Sequence, residues 1–299
     1  MGGPRLMDTE SSFPHQAGRL LLILLLFGSV GCRPETAPSF SAGPEVLELT
    51  EGIDDPEEQE LFETLQAEIA LTLQQRCGAP EKIILLGAEE TTPKLQLGYQ
   101  VYAEYCTQCH GVNGDGNGPV AAHLAPQPRN YRLGIFKFTS TPYGSKPRRS
   151  DLERTVRRGV VGTSMPAFDR LSDEEVAAVV EYVLALTHRG ELERELAMIV
   201  YDEAEMPDGE YLDEIVAGVL EPWQEAADLL VMPVSPMPPM TAETVRAGHE
   251  IFLQRACNKC HGTYGRGGSM GNVEVGVDAW GNRAAAADLS SGMFRGGGR

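Results

Sequence analysis

Two pentapeptides combine residue types that can do chemistry together: Cys106-Thr107-Gln108-Cys109-His110 and Cys257-Asn258-Lys259-Cys260-His261. Two thiols three positions apart can both add to the vinyl groups on one edge of a haem. The histidine that follows at once is then placed to coordinate the iron from one face. Covalent attachment keeps a porphyrin in a small protein without a deep closed pocket, and it needs an oxidising compartment. Haem c is therefore expected at Cys106 and Cys109, and a second at Cys257 and Cys260. Two other uses of the cysteines fit worse. A thioredoxin-like dithiol needs a strand–helix–strand setting, and nothing strand-rich surrounds either pair. A zinc site built from both pairs would join cysteines about 150 residues apart and leave both histidines as coincidences.

An iron that only changes oxidation state wants a sixth ligand, and a thioether raises its potential. Most methionines fill cores or loops. Met165 differs: it sits in the proline-fixed stretch GTSMPAF at 162–168, 55 residues after His110, and is the expected axial ligand. Behind it, SDEEVAAVVEYVLALTH reads as a helix. Ser172 is its N-cap, acids fill the first turn, and Val176, Val179, Val180, Val183 and Leu184 share one face.

The elements around these residues follow from composition and charge. The 299 residues give room for two ordinary domains, and 42% hydrophobic content is enough for real cores. The formal charge of −18 excludes a nucleic-acid binder, which needs a basic footprint. That charge is segregated: −11 over residues 45–93, +3 over 94–189, −12 over 190–247 and +2 over 248–299. Each acidic block reads as a linker bearing one amphipathic helix. In the first, Asp55 caps, Pro56 opens the first turn, and Leu61, Phe62, Leu65, Ile69 and Leu73 recur until Gly78. In the second, Ile215, Val219, Trp223 and Ala226 recur before the breaker MPVSPMPP at 232–239.

The start of the chain is an address. Arg5 and Arg19 precede LLLILLLF at 20–27, a run too short to span a bilayer, and small residues follow. Ser29-Val30-Gly31-Cys32 resembles the lipobox of bacterial lipoproteins, with Ser29 in place of the usual aliphatic residue. That resemblance implies removal of residues 1–31, a lipid on Cys32 and work on the periplasmic side of a membrane.

Residues 94–190 resemble a class I c-type cytochrome domain of the small bacterial kind. LGYQVYAEYCTQCHG matches the first helix and the haem site, GDGNGP at 114–119 the loop below the proximal histidine, and MPAF the distal loop. The resemblance implies a mainly α fold in which Gly98 and Tyr102 cross a last helix carrying Tyr182. It also implies a carbonyl, with Pro119 as the candidate, accepting the Nδ1–H bond of His110.

The pattern then restarts. GHEIFLQRACNKCHG at 248–262 parallels GYQVYAEYCTQCHG at 98–111 with one extra residue, and Gly292-Met293-Phe294-Arg295 parallels Gly134-Ile135-Phe136-Lys137. The counterpart of Met165 would fall near position ~320, beyond Arg299. A truncated product, a substitute ligand from Met270 or Met293, or an iron open on one side would each account for this. The organisation expected is a signal at 1–31, an acidic tether at 32–93, a cytochrome c domain at 94–190, an acidic helical linker at 191–241 and a partial, incomplete cytochrome c-like domain at 242–299.

The remaining polar residues have plainer expectations. Cys77 reads as a buried thiol. His123, His188 and His249 lack ligand spacing, and His188 is expected to meet a helix dipole. Arg129 and Arg132 are candidates to reach haem propionates. Arg148, Arg149, Arg154, Arg157 and Arg158 form either a solvated basic face or a docking rim for an acidic redox partner. The function expected is one-electron transfer between redox proteins, with no nucleic acid and no substrate chemistry. A dihaem peroxidase and a haem-relay subunit of a larger complex are the alternatives.

Overall fold

The computed structural model describes Gly2 and residues 37–124, 126–232, 234–267, 274–277 and 283–291, the segments 274–277 and 283–285 and Ser291 by backbone alone. Cys32, Met270 and Met293 lie outside these residues. The chain divides into Met1–Thr36 and Ala37–Arg299, and every described helix and strand belongs to the second unit. None of the helices among the described residues is long and apolar enough to cross a membrane.

The architecture is mainly helical. In order come α1 (Pro44–Leu47), α2 (Pro56–Cys77), the short strands β1 (Gly78–Ala79) and β2 (Lys82–Ile83), α3 (Pro93–Tyr105), α4 (Thr107–His110), α5 (Arg149–Arg158), α6 (Asp173–Glu203) and α7 (Gly209–Ala226). Then follow α8 (Ala242–Gln254), α9 (Asn258–His261), and the strands β3 (Glu274–Val277) and β4 (Arg283–Ala285). β1 pairs with β2 and β3 with β4, both antiparallel.

The capping residues act as their types dictate. The Asp55 carboxylate accepts from the amides of Glu57 and Glu58 and starts α2. Ser172 and Glu175 form a reciprocal capping box at the start of α6. The helix expected to end near His188 instead runs to Glu203, so a domain boundary at 190 falls inside α6. Gly190, within it, opens a notch, since a β-carbon there would lie 2.4 Å from the Cα of Arg132.

α6 serves two cores. Its first half packs Val176, Val179, Tyr182, Val183 and Leu186 against Leu95, Val101 and Tyr102 of α3. Its second half packs Leu192, Leu196 and Val200 against Phe62, Leu65, Ile69 and Leu73 of α2 and Val216 and Val219 of α7. Both acidic helices are thus wall elements of a helical core, and the segment expected to be a tether holds one of them. A buried ion network closes the junction. Glu193 accepts from Arg132 (2.6 Å), Arg189 (3.2 Å) and the Gly43 amide (2.9 Å).

Candidate haem sites

The first CxxCH motif sits where α3 ends and α4 makes a single turn. Gly98 lets α3 approach α6 closely: a β-carbon there would be 2.3 Å from the Ala178 carbonyl oxygen. Tyr102 lies at the same crossing, its ring 5.0 Å from that of Tyr182, and its hydroxyl donates to the Gly111 carbonyl at 2.8 Å. The amide of His110 donates to the Cys106 carbonyl at 2.9 Å, so both cysteines and the histidine share one turn.

His110 is buried. Its Nδ1 lies 3.2 Å from the carbonyl oxygen of Arg129. A carbonyl only accepts, so Nδ1 carries the proton and Nε2 is left as the bare nitrogen that a metal needs. Burial lowers the imidazole pKa and keeps the ring neutral, against a smaller opposing effect of the Arg129 hydrogen bond. Tyr131 stacks on the ring at 4.6 Å. Burial also pushes the Cys106 thiol up to about 12.

The acceptor is therefore Arg129, not Pro119. The amides of Gly118 and Val120 donate to the carbonyls of Cys109 and Gln108, and Pro119 is exposed between them. The chain reaches His110 again only after a turn at Gly116 (φ 79°), where a β-carbon would strike the Pro128 carbonyl at 2.6 Å. Arg132 pairs with Glu193. Within the basic cluster, Arg149 pairs with Glu181, Arg154 with Asp151 and Arg157 with Asp173.

Met165 is half-buried in the loop between α5 and α6. Its carbonyl accepts from the Val160 amide at 3.1 Å and its amide donates to the Thr163 hydroxyl at 3.2 Å, which folds the loop back on itself. Gly159 (φ 63°) permits that fold, because a β-carbon there would meet the Pro166 backbone at 2.5 Å. Phe168, three residues on, packs on the same core as Cys106.

The second motif repeats the proximal geometry. Nδ1 of His261 lies 2.9 Å from the Ala287 carbonyl oxygen, and the amide of Leu289 donates to Gly265 as that of Tyr131 does to Gly114, both at 2.7 Å. The chain takes 26 residues to return to His261 against 19 for His110, and the hairpin β3–β4 lies within the longer excursion. The extra residue before the second motif is absorbed by Ala256, in the left-handed region at φ 57°. Sequence reasoning picked out GDGNGP at 114–119 but passed over the glycine pattern common to both returns. His-Gly-x-x-Gly-x-Gly occurs at 110–116 and again at 261–267, and all six glycines have positive φ.

Residues 93–183 match the family described as cytochrome C oxidase, cbb3-type, subunit III. This segment is a c-type cytochrome domain. Such a domain implies covalently bound haem c and haem-based electron transfer, and the donor set fits: two thiols and a bare imidazole nitrogen on one turn. The match opens with α3 and ends inside the first half of α6. A comparison with curated proteins gives no match. Among solved structures, a chain of the reducing HAO-like protein complex of Kuenenia stuttgartiensis is similar at 29% identity over 68% of this chain and 78% of its own, with a TM-score of 0.48. That likeness is too loose to carry further argument.

Proposed function

We propose that the chain is an exported, membrane-tethered electron carrier with two haem c groups. Cys106 and Cys109 hold the first, with His110 and Met165 as axial ligands. Cys257 and Cys260 hold the second, with His261. The observation that carries the reading is the geometry common to both motifs: an imidazole whose Nδ1–H is committed to a backbone carbonyl, one residue after the second of two thiols.

Bound haem c supplies a one-electron iron couple. The chain's own residues tune it. The carbonyls of Arg129 and Ala287 fix the ring planes and raise the basicity of Nε2. Tyr131 covers one face of His110 and helps to exclude water. Met165 contributes a thioether from a loop held at both ends by backbone hydrogen bonds. The leader and a lipid on Cys32 place the carrier on the periplasmic side of a bacterial membrane, where it meets other redox proteins. A relay role within a larger oxidase is the second reading, favoured by the description of the matching family as an oxidase subunit.

Potentiometric titration followed in the visible spectrum tests the proposal. Reversible one-electron steps are expected, and Met165→Ala lowers the potential of the first haem while leaving its covalent attachment intact. Turnover of hydrogen peroxide with a reduced donor would contradict it and favour a peroxidase.

A further inference from the structure

His110 is not held by its own turn alone. Both groups that fix its ring, the Arg129 carbonyl at Nδ1 and the stacked ring of Tyr131, come from one short return segment. That segment has little regular structure of its own. Tyr131–Leu133 makes a single turn, capped by Asn130, whose side chain accepts from the Arg132 amide at 3.0 Å. Its backbone is tied to the loop after His110 where the Tyr131 amide donates to the Gly114 carbonyl at 2.7 Å. So short a piece takes its position from what it packs on.

What it packs on is α6. His188 lies in mid-helix, not at a helix end, and the turns that follow carry Gly190, Glu191 and Glu193. The backbone of Arg132 seats in the notch at Gly190. Its guanidinium, 6% exposed, donates to the Glu193 carboxylate, 1% exposed, at 2.6 Å. A charge-assisted hydrogen bond in such low-dielectric surroundings is among the stiffest contacts a side chain can make. Glu193 is not free to follow the segment. Leu192 and Leu196 beside it are buried in the core with α2, and the Gly43 amide holds its other oxygen at 2.9 Å. Two residues beyond Arg132, the Gly134 carbonyl accepts from Lys146 at 3.1 Å, and Glu191 holds that lysine in turn.

The residues that clamp the segment therefore lie outside the stretch that matches a cytochrome family. That match covers 93–183, and Gly43, Gly190, Glu191 and Glu193 all fall beyond it. Arg189 also donates to Glu193, at 3.2 Å, but does so from within α6 itself. The same carboxylate thus has one tie to the return segment and one within its own helix.

We propose that the stretch of α6 from Gly190 to Glu193 braces the proximal side of the first haem site, with Glu193 as a positioning residue that acts through Arg132 on the hydrogen bond and the stacked ring that fix His110. Orientation of a ligating imidazole by the partner of its second nitrogen is what tunes a haem iron. The effect on iron rests on reading His110 as a haem ligand; the bracing of the ring does not.

Nuclear magnetic resonance of the full-length, haem-loaded protein tests this. In the reduced form, solvent exchange of the His110 Nδ1–H is expected to be about tenfold or more faster in Arg132→Met than in the wild type, as loosening of one local hydrogen bond would make it. In the oxidised form, the methyl shifts of the haem at Cys106 and Cys109, which follow the plane of the axial imidazole, move as well. Glu193 keeps Arg189 as its counter-ion in that variant, so no carboxylate is left buried alone. Gly190→Ala, which pushes the Arg132 backbone out of its notch, gives the same two changes by a separate route. Arg189→Met removes an equal charge from the same carboxylate but keeps the tie to Arg132, and leaves both readouts at their wild-type values. Far-ultraviolet circular dichroism shows that each variant is folded. Unchanged exchange and shifts in Arg132→Met, or equal changes in Arg189→Met, would overturn the proposal. Haem content at Cys106 and Cys109, scored separately, bears only on the reading of His110 as a ligand, and the exchange measurement on its ring does not depend on it.

Discussion

The turn after Cys106 and the turn after Cys257 are built from the same parts, yet their surroundings differ throughout. Each ends in a histidine tied through Nδ1 to a returning carbonyl, and each return is shaped by three glycines with positive φ. At matching positions of the preceding helices, however, Leu95 and Val101 are 3% and 4% exposed, whereas Val245 and Ile251 are each 57% exposed. The backbone at Gly98 is pressed against α6, while among the described residues nothing comes within 4 Å of a β-carbon placed on Gly248. The comparison separates two tasks. The proximal scaffold is a local product of glycine placement and backbone hydrogen bonds. Closure is a long-range product of α6, which the first region has and the described part of the second does not show.

The largest effect that sharpens this comparison is expected at the junction holding α6 in place. Glu193→Ala leaves Arg132 and Arg189 buried without their carboxylate, and costs about 3–5 kcal/mol in guanidinium unfolding of the first region. A paired substitution addresses the comparison itself. Gly98→Ala forces a methyl group against the Ala178 carbonyl and costs about 3 kcal/mol. Gly248→Ala meets nothing and gains up to about 1 kcal/mol of helix propensity. Equal effects at the two glycines would erase the distinction drawn between the regions.

A graded effect, spread over several pH units, comes from pH. His188 in the first region is held neutral, its pKa lowered by burial to about 3. The unfolded chain takes up a proton near the ordinary histidine value of about 6.5 and the folded chain does not, so protonation favours unfolding. Its contribution is complete above pH ~6.5 and is lost as the pH falls from there toward about 3, at no more than about 1.4 kcal/mol per pH unit. His188→Phe is expected to flatten that slope in acid-unfolding curves. The second region, whose His249 is exposed, has no such buried neutral histidine among its described residues.

What is legible in the sequence divides along the same line. The caps at Asp55 and Ser172, the buried faces of α2 and α6 and the attachment turns can be read because each depends on residues within a few positions of one another. The run of α6 past His188 is not legible, because Arg132, against which Gly190 is pressed, lies 58 positions earlier in the chain. Pro119 is the acceptor that the family resemblance implies for His110, and the choice of Arg129 depends on how a glycine-rich loop folds back. The acidic helices carry no sign of what they pack on, since their buried faces meet α6 from two distant stretches of sequence. His188 is hidden for a related reason: Trp223, whose ring it meets, lies 35 positions later in the chain.

Haem per polypeptide, measured by the pyridine haemochrome assay on protein made with c-type maturation machinery, tests the central claim most directly. Two haems per chain are expected, falling to one when Cys257 and Cys260 are changed to alanine and likewise when Cys106 and Cys109 are. A single haem untouched by the Cys257 and Cys260 changes would contradict the equivalence of the two proximal scaffolds. No haem at all would contradict the electron-carrier reading as a whole.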